Sequence, residues 1–165
     1  VAARHALEVH GLERVAIVDF DVHHGNGTAD IFSDDPRVMM AGIFQHPFYP
    51  YSGADRQPAH MCNVPLPAGT RGDGLRQVFS DIIVPALRSH NPQMIFISAG
   101  FDAHYEDDMG SMGLLEADYI WATDQIKGVA EDCGHTRIVS VLEGGYSLSA
   151  LGRSVVAHVK ALAGL

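Results

Sequence analysis

The sequence has 165 residues, enough for one domain with a sizeable hydrophobic core. Its formal net charge of −9 disfavours binding to nucleic acid, and its strand-sized apolar runs are too short to cross a bilayer. Cys62 and Cys133 lie far apart and match no metal or redox spacing, so we expect free thiols in a cytoplasmic protein.

The predicted elements begin with an amphipathic helix that ends at Gly11. Because this helix has no initiator Met and no start cap, we expect the domain to begin upstream of Val1. Four short apolar runs, rich in β-branched residues, are typical of strands buried on both faces. These runs cover residues 15–21, 38–44, 94–100 and 138–142.

Three further helices are predicted, over residues 74–90, 114–133 and 149–162, with Pro85 as an interruption of the first. Residues 45–73 contain many turn formers and aromatic residues, and we expect a long functional loop there. The alternation indicates an α/β fold, with a mostly parallel sheet and helices on both faces. No repeat or linker divides it, so residues 1–165 are predicted to belong to one domain.

Polar residues follow the predicted strands at the edge where open α/β sheets bind ligands. Asp19, Asp21 and His23 fall on one side of the chain if the extended conformation continues, and Asp102 follows a neighbouring strand. An isolated aspartate there is more often a helix cap or a turn residue, but capping does not require a cluster. One imidazole with two carboxylates is a ligand set for zinc that leaves a fourth position open.

The last predicted strand runs into Glu143-Gly-Gly-Tyr146, where the glycines permit close backbone approach and the phenol can stabilise an oxyanion. A metal ion beside it would polarise a carbonyl and activate water. These residues together indicate metal-assisted hydrolysis of an amide or a related bond, and their spacing does not identify the bond.

Three segments resemble motifs of histone deacetylases and bacterial deacetylase-like amidohydrolases, in the class II variant. The resemblance implies the arginase/deacetylase α/β fold, incomplete here, and removal of acetyl groups from lysine of proteins such as histones, from peptides or from polyamines. The segments are Asp19-Phe-Asp-Val-His-His-Gly-Asn-Gly-Thr28, Ser98-Ala-Gly-Phe-Asp-Ala-His104 and Leu142-Glu-Gly-Gly-Tyr146.

The resemblance also implies roles for single residues. The zinc ligands are matched by Asp21, His23 and Asp102, and the tyrosine beside the acetyl carbonyl is matched by Tyr146. Asp19 matches the family residue that pairs with a catalytic histidine. It also resembles a ligand of the monovalent-cation (K⁺) site in that family.

Further positions match the family at the edges of the site. Asn26 matches the partner of a second histidine, and the substrate channel is matched by Phe48, Tyr49, Met109 and Gly145. The histidine pair itself is expected upstream of Val1, so the 165-residue chain alone is expected to be inactive and poorly soluble.

Three positions depart from the family pattern. Gly42 replaces a serine expected near the monovalent cation, Tyr49 replaces a phenylalanine of the channel, and Asp108 replaces a proline beside Met109. Two alternatives stay open. An arginase-type dimanganese hydrolase would need ligands spaced Asp-x-His-x-Asp, and a non-catalytic acyl-lysine or polyamine binder would not need the phenol of Tyr146.

Overall fold

A computed structural model of the chain describes residues 1–165 and contains one five-stranded, fully parallel sheet. The strands are β1 (Val15–Asp19), β2 (Val38–Gln45), β3 (Met61–Leu66), β4 (Ile95–Ala99) and β5 (Ile138–Leu142). Their order in the sheet is β3-β2-β1-β4-β5, so β1 and β4, which precede the predicted ligands, are neighbours.

Every residue of β1 and β2 is buried, which explains why both appear in the sequence as unbroken apolar runs. Alternate residues of β1 enter different clusters: Val18 joins the large apolar core on one face, and Ile17 joins a smaller core on the other. Asp19 pairs in register with Ser98 of β4, so the carboxyl ends of β1 and β4 lie side by side.

Helices cover both faces of the sheet, as predicted. The smaller core packs under α1 and α2, and the larger core packs under the helices that follow β3. A π-helical turn, Phe79–Ile83, joins α3 to α4. The helices are α1 (Ala2–Glu8), α2 (Asn26–Phe32), α3 (Gly72–Val78), α4 (Val84–His90), α5 (Glu116–Asp132) and α6 (Leu148–Ala163).

The predicted interruption at Pro85 is confirmed. Proline has no N–H to donate to the carbonyl of Asp81, and its ring would collide with that carbonyl in a regular helix. The chain widens into the π turn just before Pro85, which lies at the start of α4.

Two elements escaped the sequence prediction. The prediction of one long loop over residues 45–73 is wrong in part, because this segment contains β3. The middle residues of β3 are only half-buried, and Pro65 lies within it, as is possible in an edge strand. The second missed element is α2, in which only Phe32 is buried, so no helical apolar period marks it.

The outer side of β5 has no strand partner, and its apolar side chains are exposed: Val139 by 39%, Val141 by 51% and Leu142 by 57%. Cys62 and Cys133 are free thiols. None of the helices combines the length and apolar character needed to cross a membrane.

Candidate active site

Asp21, His23 and Asp102 converge at the carboxyl end of the sheet. The Nδ1 atom of His23 lies 3.0 Å from Oδ1 of Asp21 and 3.2 Å from Oδ2 of Asp102. One possible ligand atom from each residue lies within 4.8 Å of the other two. A tetrahedral ion bound at about 2.0–2.1 Å separates its ligand atoms by roughly 3.3 Å, so this spacing suits zinc.

The backbone brings these ligands together by a turn rather than by a longer strand. The condition for Asp19, Asp21 and His23 to alternate along an extended chain is not met, because β1 ends at Asp19, two residues before the end of the predicted strand. Oδ1 of Asp19 accepts a 3.0 Å hydrogen bond from the N–H of Asp21, and Oδ1 of Asp21 accepts one of 2.8 Å from the N–H of His23. The carboxylate of Asp19 therefore stabilises the turn that positions Asp21, and the carboxylate of Asp21 stabilises the turn that positions His23.

The residues between the ligands anchor this turn in the core. Phe20 and Phe101 each precede a ligand, and both rings are buried against Tyr119 of α5. The two phenylalanine rings meet edge to face, with centroids 5.9 Å apart. Packing below the sheet edge thus fixes Asp21 and Asp102 above it.

Two glycines allow the backbone to approach the ligand carboxylates closely. A Cβ atom on Gly144 would collide with Oδ2 of Asp102, and one on Gly100 would collide with Oδ2 of Asp21. The N–H of Gly144 donates a 3.0 Å hydrogen bond to Oδ2 of Asp21. Any larger residue at Gly100 or Gly144 would displace a ligand.

The ligand group carries uncompensated negative charge. Burial, with the nearby charge of Asp21, raises the pKa of Asp102 to about 7. Oδ2 of Asp102 is buried and makes no hydrogen bond. Nδ1 of His23 lies 3.2 Å from it, but the angle between the two groups does not suit a hydrogen bond. A buried carboxylate oxygen without a donor is costly, and a cation between these side chains would satisfy it.

Asp19 lies beside this group and not within it. Its carboxyl is buried and lines an open polar cleft of about 220 Å³ with Asp21, His23 and Glu143. Burial raises the pKa of Asp19 well above its usual value, and the carboxylates of Asp21 and Glu143 add to this, while the N–H of Asp21 opposes it. The sequence pattern alone did not separate Asp19 from the ligands.

Gly42 pairs in register with Asp19 on the neighbouring strand. A Cβ atom on Gly42 would collide with the main-chain oxygen of Asp19, so the backbone here leaves no space for the serine of the family pattern.

Tyr146 follows β5, and its side chain is 57% exposed. Desolvation, followed by the charges of Asp102 and Asp21, raises the pKa of Tyr146 above its usual value. A tyrosine phenol is protonated near neutral pH in any case and can donate a hydrogen bond. Its backbone N–H donates a 2.6 Å hydrogen bond to the buried carboxylate of Asp107.

The predicted channel residues Phe48 and Tyr49 contact the candidate ligand His23. The Phe48 ring stacks on the His23 imidazole with centroids 5.4 Å apart, and Tyr49 meets it edge-on at 6.1 Å. The loop that carries them is held by His24, whose Nδ1 lies 2.9 Å from Oγ of Ser52.

The other predicted positions follow the candidate ligands or β5 along the chain. Met109 is 48% exposed, and its N–H donates to Oδ1 of Asp107. Asn26 is exposed at the start of α2. Gly145 has a positive φ of 141°, and a Cβ atom there would press on Leu151, so this position serves the turn of the backbone.

Sequence reasoning missed Asp107 and the anchoring role of His24. Asp107 is the middle of three acids in Glu106-Asp-Asp108, and no pattern in the sequence identifies which of them is buried. His24 stands within the Asp-x-Asp-x-His-His run, but nothing in the sequence indicates its contact with Ser52.

Comparisons with known proteins match nearly the whole chain to the family that its three sequence motifs resemble. Residues 1–162 match the family model described as the histone deacetylase domain. The chain is 40% identical to "Histone deacetylase 14, chloroplastic" of Arabidopsis thaliana, over 99% of this chain and 40% of that protein. It is 37% identical to the "Histone deacetylase-like amidohydrolase" of Pseudomonas aeruginosa, over 100% of this chain and 45% of that protein.

Solved structures agree. The crystal structure of the HDA15 HD domain superposes with a TM-score of 0.86 at 32% identity, over 99% of this chain and 49% of that one. The structure of the histone deacetylase Clr3 superposes with a TM-score of 0.87 at 31% identity, over 99% of this chain and 29% of that one. This chain spans less than half the length of each of these relatives. The two superpositions confirm the predicted α/β fold. The family match, the relatives and the shared fold show that the chain belongs to the histone deacetylase family.

Proposed function

We propose that this chain supplies the metal ligands and the oxyanion donor of a zinc-dependent deacetylase that hydrolyses an N-acetylated amine. The observation that carries the proposal is the convergence of His23 with the carboxylates of Asp21 and Asp102, at 3.0 and 3.2 Å. Zinc held by these residues would supply Lewis acidity towards a carbonyl oxygen and towards water.

Three further residues of this chain, Tyr146, Asp19 and Asn26, have assigned roles. The protonated phenol of Tyr146 donates a hydrogen bond to the acetyl oxygen as negative charge develops on it. Asp19 and Asn26 orient a histidine pair, which accepts the proton of the attacking water and returns it to the leaving amine. These two roles come from the family resemblance, and the buried position of Asp19 at the cleft agrees with them.

The substrate is an acetylated lysine in a protein or peptide, or an acetylated polyamine. The stacking of Phe48 on His23 and the edge-on contact of Tyr49 place aromatic faces beside the ligand group, which suits the apolar stem of such an amine. Met109 and Gly145 are assigned to the same channel by the family resemblance.

A monovalent cation beside Asp19 has less support than zinc. The family pattern uses a serine hydroxyl there, and Gly42 contributes no side-chain oxygen.

Two metal ions of the arginase type are disfavoured, because the chain forms one group of three candidate ligands and Asp19 lies outside it. A non-catalytic binder would not need the phenol of Tyr146.

The test is turnover by the full-length protein on acetyl-lysine peptides, histone peptides and acetylpolyamines, with and without a chelator. Release of acetate that stops on chelation and returns with zinc is expected. Binding of these compounds without acetate release would favour the non-catalytic binder instead.

A further inference from the structure

The carboxylate of Asp107 accepts hydrogen bonds from three backbone N–H groups on two segments. Oδ2 accepts from Tyr146 at 2.6 Å and from Ser147 at 2.9 Å, and Oδ1 accepts from Met109 at 2.9 Å. The side chain is buried, with 5% exposure, so these bonds are shielded from competing water.

These bonds connect the start of a long helix to the loop opposite it. Tyr146 and Ser147 immediately precede α6, which has 16 residues, and a carboxylate at a helix N-terminus is favoured by the helix dipole. On the other side, the loop of Met109 is held a second time, because the N–H of Ser111 donates to Oε1 of Gln45 at 2.7 Å. Asp107 therefore joins two segments that are each attached to the framework of the fold.

The phenol of Tyr146 depends on this anchor because its side chain is 57% exposed and little packing holds it. A second side-chain link runs from Arg153 of α6 to Glu106, in the segment before Met109, and Arg153 also contacts Glu116. All three of these side chains are 30 to 46% exposed, and ion pairs of that exposure contribute little. Charge-assisted hydrogen bonds to a buried carboxylate are roughly twice as strong as neutral ones.

We propose that Asp107 is a positioning residue, which fixes the backbone of Tyr146 against the Met109 loop and thereby sets where the phenol meets the substrate. Its effect on turnover rests on the proposed function, whereas its effect on the backbone does not. Asparagine cannot replace it, because an amide has one acceptor oxygen and its NH₂ group would oppose an N–H on either side.

The first experiment measures amide hydrogen exchange in the full-length protein with Asp107→Asn. Peptides that cover residues 107–111 and 145–150 should exchange at least about fivefold faster, because the buried acceptor is lost. The matched control is Asp108→Asn, which changes an exposed carboxylate one residue away and should leave both peptides as in the wild type. Unchanged protection in Asp107→Asn would overturn the proposal, and this result does not depend on any activity.

The second experiment is a double-mutant cycle with Tyr146→Phe. If Asp107 acts through the phenol, Asp107→Asn should lower kcat by about tenfold or more in the wild type and by less than about twofold in Tyr146→Phe. Equal losses in both backgrounds would show a general structural effect and overturn the positioning role. Absence of acetate release from the wild type would sink the proposed function alone, and the exchange experiment would still decide whether Asp107 holds the two segments.

Should Asp107→Asn fail to fold, Ser147→Pro removes one of the three donors and leaves the carboxylate in place. The φ of Ser147 is −77°, close to the value that proline adopts. We expect a smaller increase in exchange over residues 145–150, and no change there would contradict the proposal.

Discussion

The N–H of Val22 donates a 2.9 Å hydrogen bond to Oδ1 of Asp102, across the junction between β1 and β4. This bond orients the carboxylate so that its other oxygen faces His23, at 3.2 Å from Nδ1. Oδ1 of Asp102 therefore stabilises the fold through Val22, and Oδ2 faces the candidate metal site. The two functions can be separated by substitution.

Asp102→Asn should remove the metal and keep the fold. The amide oxygen can still accept from Val22, but the NH₂ group that then faces His23 is not a ligand. We expect the zinc content of the full-length protein to fall from about one ion per chain to below about a tenth of that, and activity to be lost with it. Elemental analysis of Asp102→Asn, Asp102→Ala and the exposed control Asp108→Asn measures this. Unchanged zinc in either Asp102 variant would contradict the ligand assignment.

Tyr146→Phe should affect the chemical step rather than binding. The substitution removes one hydroxyl from an exposed ring, so the fold should be unaffected. A hydrogen bond to a developing oxyanion contributes about 3–4 kcal/mol, and we expect kcat to fall by about a hundredfold or more with little change in KM. Tyr105→Phe, which alters another exposed phenol, is the control. A kcat equal to that of the wild type would exclude Tyr146 from the mechanism.

Phe48→Ala should weaken substrate binding. The ring stacks on His23 with an interplanar angle of 24°. Burial of one CH₂ group of the acyl-lysine stem against the ring would contribute about 0.8 kcal/mol to binding. We therefore expect KM for an acetyl-lysine peptide to rise about three- to tenfold, with a smaller change in kcat. Tyr51→Ala, in the same loop with its ring 77% exposed, should leave KM unchanged. Equal effects of the two substitutions would argue against a specific channel wall.

The sequence was most informative where residue type restricts structure. Asp21, His23 and Asp102 could be predicted because acids and an imidazole directly after buried strands require a compensating partner. The anchoring role of Asp107 could not, because only the position of the first turn of α6 selects it from three successive acids. The long-range hydrogen bonds that select Asp107 leave no local pattern.

The strand β3 could not be predicted from the sequence either, because its residues do not follow a clear strand pattern. Its burial alternates imperfectly, and Pro65 and Pro67 suggest turns although Pro65 lies within the strand at the edge of the sheet. Only pairing with β2, from Met40 opposite Met61 onwards, makes this segment a strand.

His158 should make stability depend on pH. Its imidazole is buried between helices, with Nδ1 2.7 Å from Oγ1 of Thr123 and Nε2 2.8 Å from Oγ of Ser140. The hydroxyl of Thr123 already donates to the carbonyl of Tyr119, so it accepts from Nδ1–H, and Nε2 of the neutral ring can accept from the hydroxyl of Ser140. Burial lowers the pKa of His158 to about 4.

Because this value lies below the usual pKa of histidine, the folded state favours the neutral ring. The contribution of His158 is therefore present above about pH 6.5 and is lost as the pH falls towards 4. Between about pH 7 and pH 4.5 the wild type should lose about 2 kcal/mol more free energy of unfolding than His158→Gln. Urea unfolding at both pH values measures this difference, and equal losses would refute it. Other buried histidines titrate in both proteins and cancel.

The last prediction concerns the 165-residue chain by itself. Hydrolysis of an amide needs a proton acceptor beside the attacking water, and two histidines near the ligands are the candidates within these residues. His24 is held by Ser52, and its ring packs against Phe44. His104 is buried, accepts the N–H of Glu106 through Nδ1 and lies 3.6 Å from Glu116 through Nε2. Neither is free to serve as the base.

We therefore expect the purified, zinc-loaded 165-residue chain to show no measurable turnover of a fluorogenic acetyl-lysine peptide. It should also self-associate, because the outer edge of β5 exposes Val139, Val141 and Leu142 beside unpaired backbone groups. Sedimentation analysis tests the second point, and Val141→Lys should increase the monomer fraction. Turnover by the monomeric chain at the rate of the full-length protein would place the base within these residues. In that case Glu143, the remaining carboxylate that lines the cleft, becomes the first candidate, and Glu143→Gln should abolish the activity.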